Sequence, residues 1–212
     1  QSGQDLYDVT SKVLLGLREV LADFEPDLVL VHGDTATTFA TTLAAFYQQI
    51  PVGHVEAGLR SGDLYSPWPE EANRRLTGTL AHWHFSPTER NQKALLAEGV
   101  AEERVLVTGN TVIDALQWMV REIADSPALS KQISSNLVAT GLNLDVTDKR
   151  YVLVTGHRRE NFGTGFENIC KALGELAEAN PDTHFIYPVH LNPNVQGPVN
   201  RLLDGVDNIH LI

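Results

Sequence analysis

The sequence predicts an α/β protein built as two parallel-sheet domains, and three observations carry that prediction. Short β-favouring apolar runs alternate with amphipathic helical patterns, the order that makes a parallel, doubly wound sheet. The runs are continuous, as at Leu28-Val29-Leu30-Val31, which is the pattern of a strand buried on both faces. Between Ala124 and Arg150 the alternation lapses into Ser-, Asn- and Asp-containing sequence and then restarts. This places a first domain at residues 1–124, a linker at 125–150 and a second domain at 151–212.

In chain order, Leu6, Val9, Val13, Leu17, Val20, Leu21 and Phe24 recur at helical spacing until Pro26 ends the pattern. The Leu28–Val31 strand follows, then the turn His32-Gly33-Asp34-Thr35 and an Ala- and Thr-rich helix over Thr37–Tyr47. Val52–Val55 is the second strand, and a long acidic loop leads to a helix over Pro69–Ala81, where the fixed φ of proline suits a first turn. His82–Phe85 reads as a strand. Ser86-Pro87-Thr88-Glu89 reads as a capped helix start, with Ser86 at the cap and the helix running to Glu98. Val105–Thr108 is a strand and Val112–Ile123 a helix; one modest helix is expected over Leu129–Val138. In the second domain Tyr151–Thr155, His184–Val189 and Ile209–Ile212 read as strands. Phe166–Ala179 and Val199–Leu203 read as helices, and His190–Pro198 as a Pro- and Asn-rich loop.

The 212 residues are 42% hydrophobic and 20% charged, which is ordinary globular composition, and 27 acidic against 16 basic side chains give a formal net charge of −11. That balance disfavours nucleic acid and anionic membrane as partners. The single Cys170 excludes an internal disulfide, and no apolar run has membrane-spanning length, so the expected location is the cytoplasm. The chain opens on QSGQDLYDV and closes on the strand-like NIHLI, so it is expected to be an internal fragment.

Groups fit for chemistry gather where strands end, the positions at which parallel α/β sheets bind ligands. His32 and Asp34 follow the first strand and Glu56 the second. Asn110 and Thr111 follow the Val105 strand, and His157, Arg158, Arg159 and Glu160 the Tyr151 strand. Plainer readings stand beside these: Asp34 as a helix cap, Glu70 and Glu71 as first-turn acids favoured by the helix dipole, and the arginines as a solvated pair. Gly156-His157-Arg158-Arg159 is a concentrated basic element suited to a diphosphate, while Gly163-Thr164-Gly165 falls short of a dinucleotide fingerprint. His82 and His84 alternate on their strand but lack further metal-ligand partners, and no Ser nucleophile elbow is present. Cys170 lies in an apolar helix stripe, as a structural thiol would. Acid–base chemistry by carboxylates and histidine fits this inventory best.

Five segments taken together, HGDT at 32–35, HVEAGLR at 54–60, PWPEEANRR at 67–75, GNTVIDAL at 109–116 and TGHRREN at 155–161, resemble the bacterial non-hydrolysing UDP-N-acetylglucosamine 2-epimerases. The resemblance runs along nearly the whole chain. It implies two Rossmann-like domains facing across a cleft, the GT-B arrangement, with both incomplete here. It also implies reversible epimerisation of UDP-GlcNAc to UDP-ManNAc, through C2 deprotonation, anti elimination of UDP to 2-acetamidoglucal, and re-addition. Neither metal nor nicotinamide is called for.

By the same resemblance the catalytic groups are Asp34, Glu56, Glu70 and His157. Asp34, Glu56, His157, Arg158 and Asn110 contact substrate, while Gln4 and His190 belong to an allosteric subsite for a second nucleotide sugar. Gly3 stands where some members carry a basic residue before that Gln. A homodimer feeding surface polysaccharide synthesis is implied, and the fragment alone is expected to be inactive, since family loops that grip the nucleotide would lie outside it. The rival readings are a hydrolysing relative that releases UDP and free ManNAc, a retaining glycosyltransferase, and a non-catalytic nucleotide-sugar-binding module.

Overall fold

The computed structural model describes residues 4–142, 150–156 and 162–212. They fall into two compact units, residues 1–117 and 118–212.

The first unit opens with α1 (Leu6–Phe24), started by a reciprocal capping box in which the Asp8 N–H donates to Asp5 Oδ1 at 2.8 Å. Then come β1 (Val29–His32), α2 (Ala36–Tyr47), β2 (Val52–Val55), α3 (Glu70–Leu80), β3 (Trp83–Ser86), α4 (Glu89–Ala97), a 3₁₀ turn and β4 (Val105–Val107). The strands form one parallel sheet in the order β1-β2-β3-β4, with Val31 opposite His54 and His54 opposite His84. The chain leaves this unit along α5 (Thr111–Asp125).

A sequential strand order winds in one direction, so right-handed crossovers lay every connecting helix on one face. Val31 and Val52 pack with Leu21 of α1 and Ala44 and Ala45 of α2, and Val105 packs with Leu95 of α4. His54, His84 and Ser86 are buried on that same face. The opposite face is not covered among the described residues. Leu30 is 61% exposed and Leu28 and Leu106 are also exposed, so among the described residues the Leu28–Val31 strand is buried on one face. A continuous apolar run reports what a strand can bury, not which side its own crossovers cover.

The second unit holds α6 (Pro127–Ala139), β5 (Arg150–Leu153), α7 (Thr164–Ala179), β6 (Thr183–Tyr187), α8 (Pro193–Leu203) and β7 (Ile209–Leu211), with a parallel sheet ordered β5-β6-β7. Its core joins Phe166, Cys170 and Ala177 of α7 to Phe185, Tyr187 and Ile209 of the sheet and Val195, Val199 and Leu203 of α8. Burial pushes the Cys170 thiol pKa up, the setting of an inert packing residue.

Two local expectations are corrected. Ser86 does not cap α4: its carbonyl accepts from the Thr108 N–H at 2.9 Å as part of the β3–β4 ladder, and Thr88 caps instead. Helix α8 begins at Pro193, not Val199, because Asn192 caps it and Val195, Val199 and Leu203, four residues apart, seal into the core. That burial outweighs the N–H missing at Pro198 inside the helix. His82 lies one residue before β3, its ring edge-on to Trp83, and its N–H donates to the Val52 carbonyl at 2.8 Å, carrying the pairing with β2 one bond further.

Candidate active site

Strands β1 and β2 run side by side to His32 and Val55, and the Gly33 N–H extends their pairing by one bond to the Val55 carbonyl at 3.1 Å. Both chains then turn through left-handed backbone, Gly33 at φ 75° and Glu56 at φ 69°. For Gly33 this costs little. For Glu56 it costs on the order of 1–3 kcal/mol, which surrounding structure must hold in place. It does so tightly: the Ala57 N–H donates to the Phe85 carbonyl at 3.0 Å, and Asn91 Nδ2 of α4 donates to the Gly58 carbonyl at 3.2 Å. Gly58, at φ 88°, lies so close that a Cβ there would stand 2.3 Å from the Asn91 carbonyl oxygen. The Glu56 side chain turns back over the neighbouring strand end, where Oε2 lies 3.6 Å from the place a Gly33 Cβ would occupy.

Asp34 follows directly. It is not the cap of α2; that role belongs to Thr35, whose Oγ1 accepts from the Thr38 N–H. The Asp34 carboxylate instead meets α3, with Arg74 Nη2 at 2.7 Å from Oδ2, and Asn73 Nδ2 donates to the Asp34 carbonyl at 3.0 Å. The pair is largely withdrawn from water, with side-chain exposures of 12% for Arg74 and 27% for Asp34.

Helix α3 begins at Glu70, with Pro69 at the cap rather than inside, and its two leading acids part company. Glu70 is half-buried at the helix start, on the side of the turn that lies one turn before Arg74. Glu71 is 0% exposed: its Oε2 accepts from the Ser61 N–H at 3.1 Å, with Arg74 Nη1 and Arg75 Nε each at 3.5 Å. Glu71 is thus an interior anion rather than a solvated first-turn acid, whereas Glu70 keeps the first-turn place that the helix dipole favours. Arg60 donates from two nitrogens to Glu98 at 2.7 Å each and holds that carboxyl below its ordinary pKa, over the opposing effect of partial burial.

Beneath the strand ends, the Nε2–H tautomer of His54 donates to the Gly33 carbonyl at 2.8 Å, and burial lowers the His54 pKa. His84, in register beside it, is lowered to about 4, by burial first and then by its neighbours His54 and Arg60. Both imidazoles are therefore neutral supports of the strand ends. Among the described residues no group of three or more His, Cys, Asp or Glu is arranged to hold a metal ion.

The other sequence-derived candidates are spread more widely. Asn110 lies in the turn between β4 and α5 and uses its Oδ1 to accept from the Val112 N–H at 2.9 Å, while Thr111 Oγ1 stands 3.3 Å from His32 Nε2. Gln4 is exposed just before the Asp5 cap of α1. In the second unit, His190 is exposed after β6, and its Nδ1 accepts from the Asn192 N–H at 3.1 Å. His157, Arg158, Arg159 and Glu160 lie outside the described residues. The strand end that leads to them is fixed by the Tyr187 hydroxyl, which donates to the Gly156 carbonyl at 2.8 Å. The structure thus sets Asp34 and Glu56 at the adjoining ends of β1 and β2, with Glu70 on the helix that grips Asp34. It adds Arg74, Asn73 and the buried Glu71, whose only sequence signal was the i,i+3 spacing of an acid and an arginine inside PEEANRR.

The sequence profile described as UDP-N-acetylglucosamine 2-epimerase matches residues 1–212. The UDP-N-acetylglucosamine 2-epimerase of Salmonella typhimurium is 58% identical over 212 residues, which is 100% of this chain and 55% of that protein. The crystal structure of the Neisseria meningitidis UDP-GlcNAc 2-epimerase bound to UDP-GlcNAc superposes with a TM-score of 0.92 at 50% identity, over 100% of this chain and 56% of that one. The Methanocaldococcus jannaschii UDP-GlcNAc 2-epimerase in complex with UDP-GlcNAc and UDP gives a TM-score of 0.78 at 31% identity, over 99% of this chain and 56% of that one. The chain spans about half the length of these relatives. By sequence and by fold alike, this chain belongs to the UDP-N-acetylglucosamine 2-epimerase family.

Proposed function

We propose that the protein containing this chain interconverts UDP-GlcNAc and UDP-ManNAc without releasing free sugar. The observation that carries the reading is the left-handed Glu56 beside Gly33 and Asp34, a carboxylate held in costly backbone geometry at the carboxyl ends of two parallel strands. Inversion at C2 needs a base on one face of the sugar ring and a proton donor on the other. The base takes the C2 proton, the C–H electron pair becomes the C1–C2 double bond of 2-acetamidoglucal, and the C1–O bond breaks with its pair leaving on UDP. Re-addition of UDP oxygen to C1, with a proton delivered to the opposite face of C2, completes the inversion with all atoms conserved.

Asp34, Glu56 and Glu70 are the groups we assign to those proton transfers. His157, Arg158 and Asn110 are assigned to substrate, and Gln4 and His190 to a second nucleotide-sugar subsite. A cytoplasmic homodimer supplying surface glycan synthesis belongs to the same reading. The test is proton NMR of UDP-GlcNAc in D₂O with the full-length protein. Loss of the C2 proton together with growth of UDP-ManNAc supports the reading. Free ManNAc plus UDP replaces it with the hydrolysing reaction, and an unchanged spectrum removes both.

A further inference from the structure

Helix α3 holds Asp34 at two points, and neither contact comes from a residue assigned to the chemistry above. Asn73 takes its carbonyl and Arg74 its carboxylate. Arg74 is itself anchored from behind by Glu71, which is sealed from solvent and fixed by the Ser61 N–H. A guanidinium is a planar fork that can face two carboxylates at once, which a lysine ammonium on a flexible stem cannot reproduce. The same helix opens with Glu70, so two of the three proposed acid–base groups are referenced to one rigid element.

We infer that Arg74 is a positioning residue for the epimerisation: spanning Glu71 and Asp34, it fixes the Asp34 carboxylate relative to Glu70. This rests on the epimerase reading. It assigns Arg74 no contact with substrate, so its loss acts through Asp34 and falls on kcat rather than KM. Misplacing a reacting group by about 1 Å costs on the order of 10²-fold in rate, which sets the expected size.

The experiment is a double-mutant cycle in the full-length protein, following C2 proton exchange and UDP-ManNAc formation for wild type, R74Q, D34N and the pair, with a thermal melt of each. R74Q is expected to lower kcat about 10²-fold with KM within about 3-fold of wild type. Added to D34N it is expected to cost less than about 3-fold more, since the carboxylate it positions is already neutral. A second full-size loss in the D34N background overturns the inference, as does an R74Q kcat within about 3-fold of wild type. If R74Q does not fold, R74K decides through the same cycle, with a loss of about 10-fold alone and none in D34N. A silent wild type removes the epimerase reading and this inference with it, whereas an active wild type with an equally active R74Q removes only the inference.

Discussion

Arg74 Nη2 stands 2.7 Å from Asp34 Oδ2, joining the turn after β1 to the second turn of α3 across 40 residues of sequence. Around that contact the carboxylates of Asp34, Glu56, Glu70 and Glu71 sort into two kinds. Glu71 is fully enclosed, with the Ser61 N–H donating to its Oε2 and the Arg74 and Arg75 guanidinium groups 3.5 Å away. Asp34, Glu56 and Glu70 remain partly open. The enclosed acid supports the arginine, and the arginine supports an open one.

Removing Glu71 should therefore be a stability defect before it is a catalytic one. Glu71→Ala leaves Arg74 and Arg75 without their enclosed counter-ion and the Ser61 N–H without an acceptor, a loss of the size seen for broken buried pairs, about 3 kcal/mol or more. Urea unfolding should show the midpoint falling with the slope unchanged. A Glu71→Ala protein as stable as wild type would show that the anion is dispensable to the fold.

Glu56 should behave in the opposite sense. Glu56→Gly relieves left-handed strain and should leave stability unchanged or raise it by about 1 kcal/mol, while abolishing the proposed C2 proton transfer. Glu56→Gln keeps the shape and the strain but should still lower kcat by about 10²-fold or more, the scale for losing a positioned acid or base. Unchanged kcat in Glu56→Gln would remove Glu56 from the mechanism.

Much of this site was legible from residues alone, and what was not has a common physical cause. Local patterning ended the strands at Val31 and Val55, within one residue of the observed ends at His32 and Val55, and so put Asp34 and Glu56 at the carboxyl strand ends where parallel α/β sheets commonly bind ligands. It could not separate Glu70 from Glu71, adjacent acids of which one faces the interior, because that depends on where the Ser61 backbone arrives from the loop before α3. It offered capping as an equal reading of Asp34, and only the Thr35 bond to Thr38 and the Arg74 contact decide between them. The one-sided winding of the first sheet was invisible for the same reason: Leu30 is as apolar as Val31, yet among the described residues Val31 is buried in a cluster with helix residues while Leu30 is exposed.

Gly58 gives a sharper test of how the loop after β2 is fixed. Its φ of 88° disfavours any side chain, and a Cβ would meet the Asn91 backbone carbonyl at 2.3 Å, where nothing flexible can yield. Gly58→Ala should cost about 3 kcal/mol from overpacking and backbone strain combined. It should also lower kcat by displacing Glu56 two residues upstream. Wild-type stability and kcat together would mean that α4 does not hold this loop.

The paired histidines beneath the site should show in the pH dependence of stability. His84 in the folded protein is lowered to about 4 against an ordinary 6.5, and His54 is lowered in the same direction. Between those values the unfolded chain binds a proton that the folded one refuses, so stability rises with pH wherever the unfolded state carries more protons. The contribution is fully present above about pH 6.5 and is lost as pH falls towards 4. A shift from 6.5 to about 4 amounts to roughly 3 kcal/mol for His84 alone. Denaturant midpoints measured from pH 7.5 to 4.5 should fall steeply for wild type. In His84→Gln the slope through that window should shrink, because Gln takes up no proton on unfolding. An identical slope in the two proteins would show that His84 is not the group whose protonation opposes the fold.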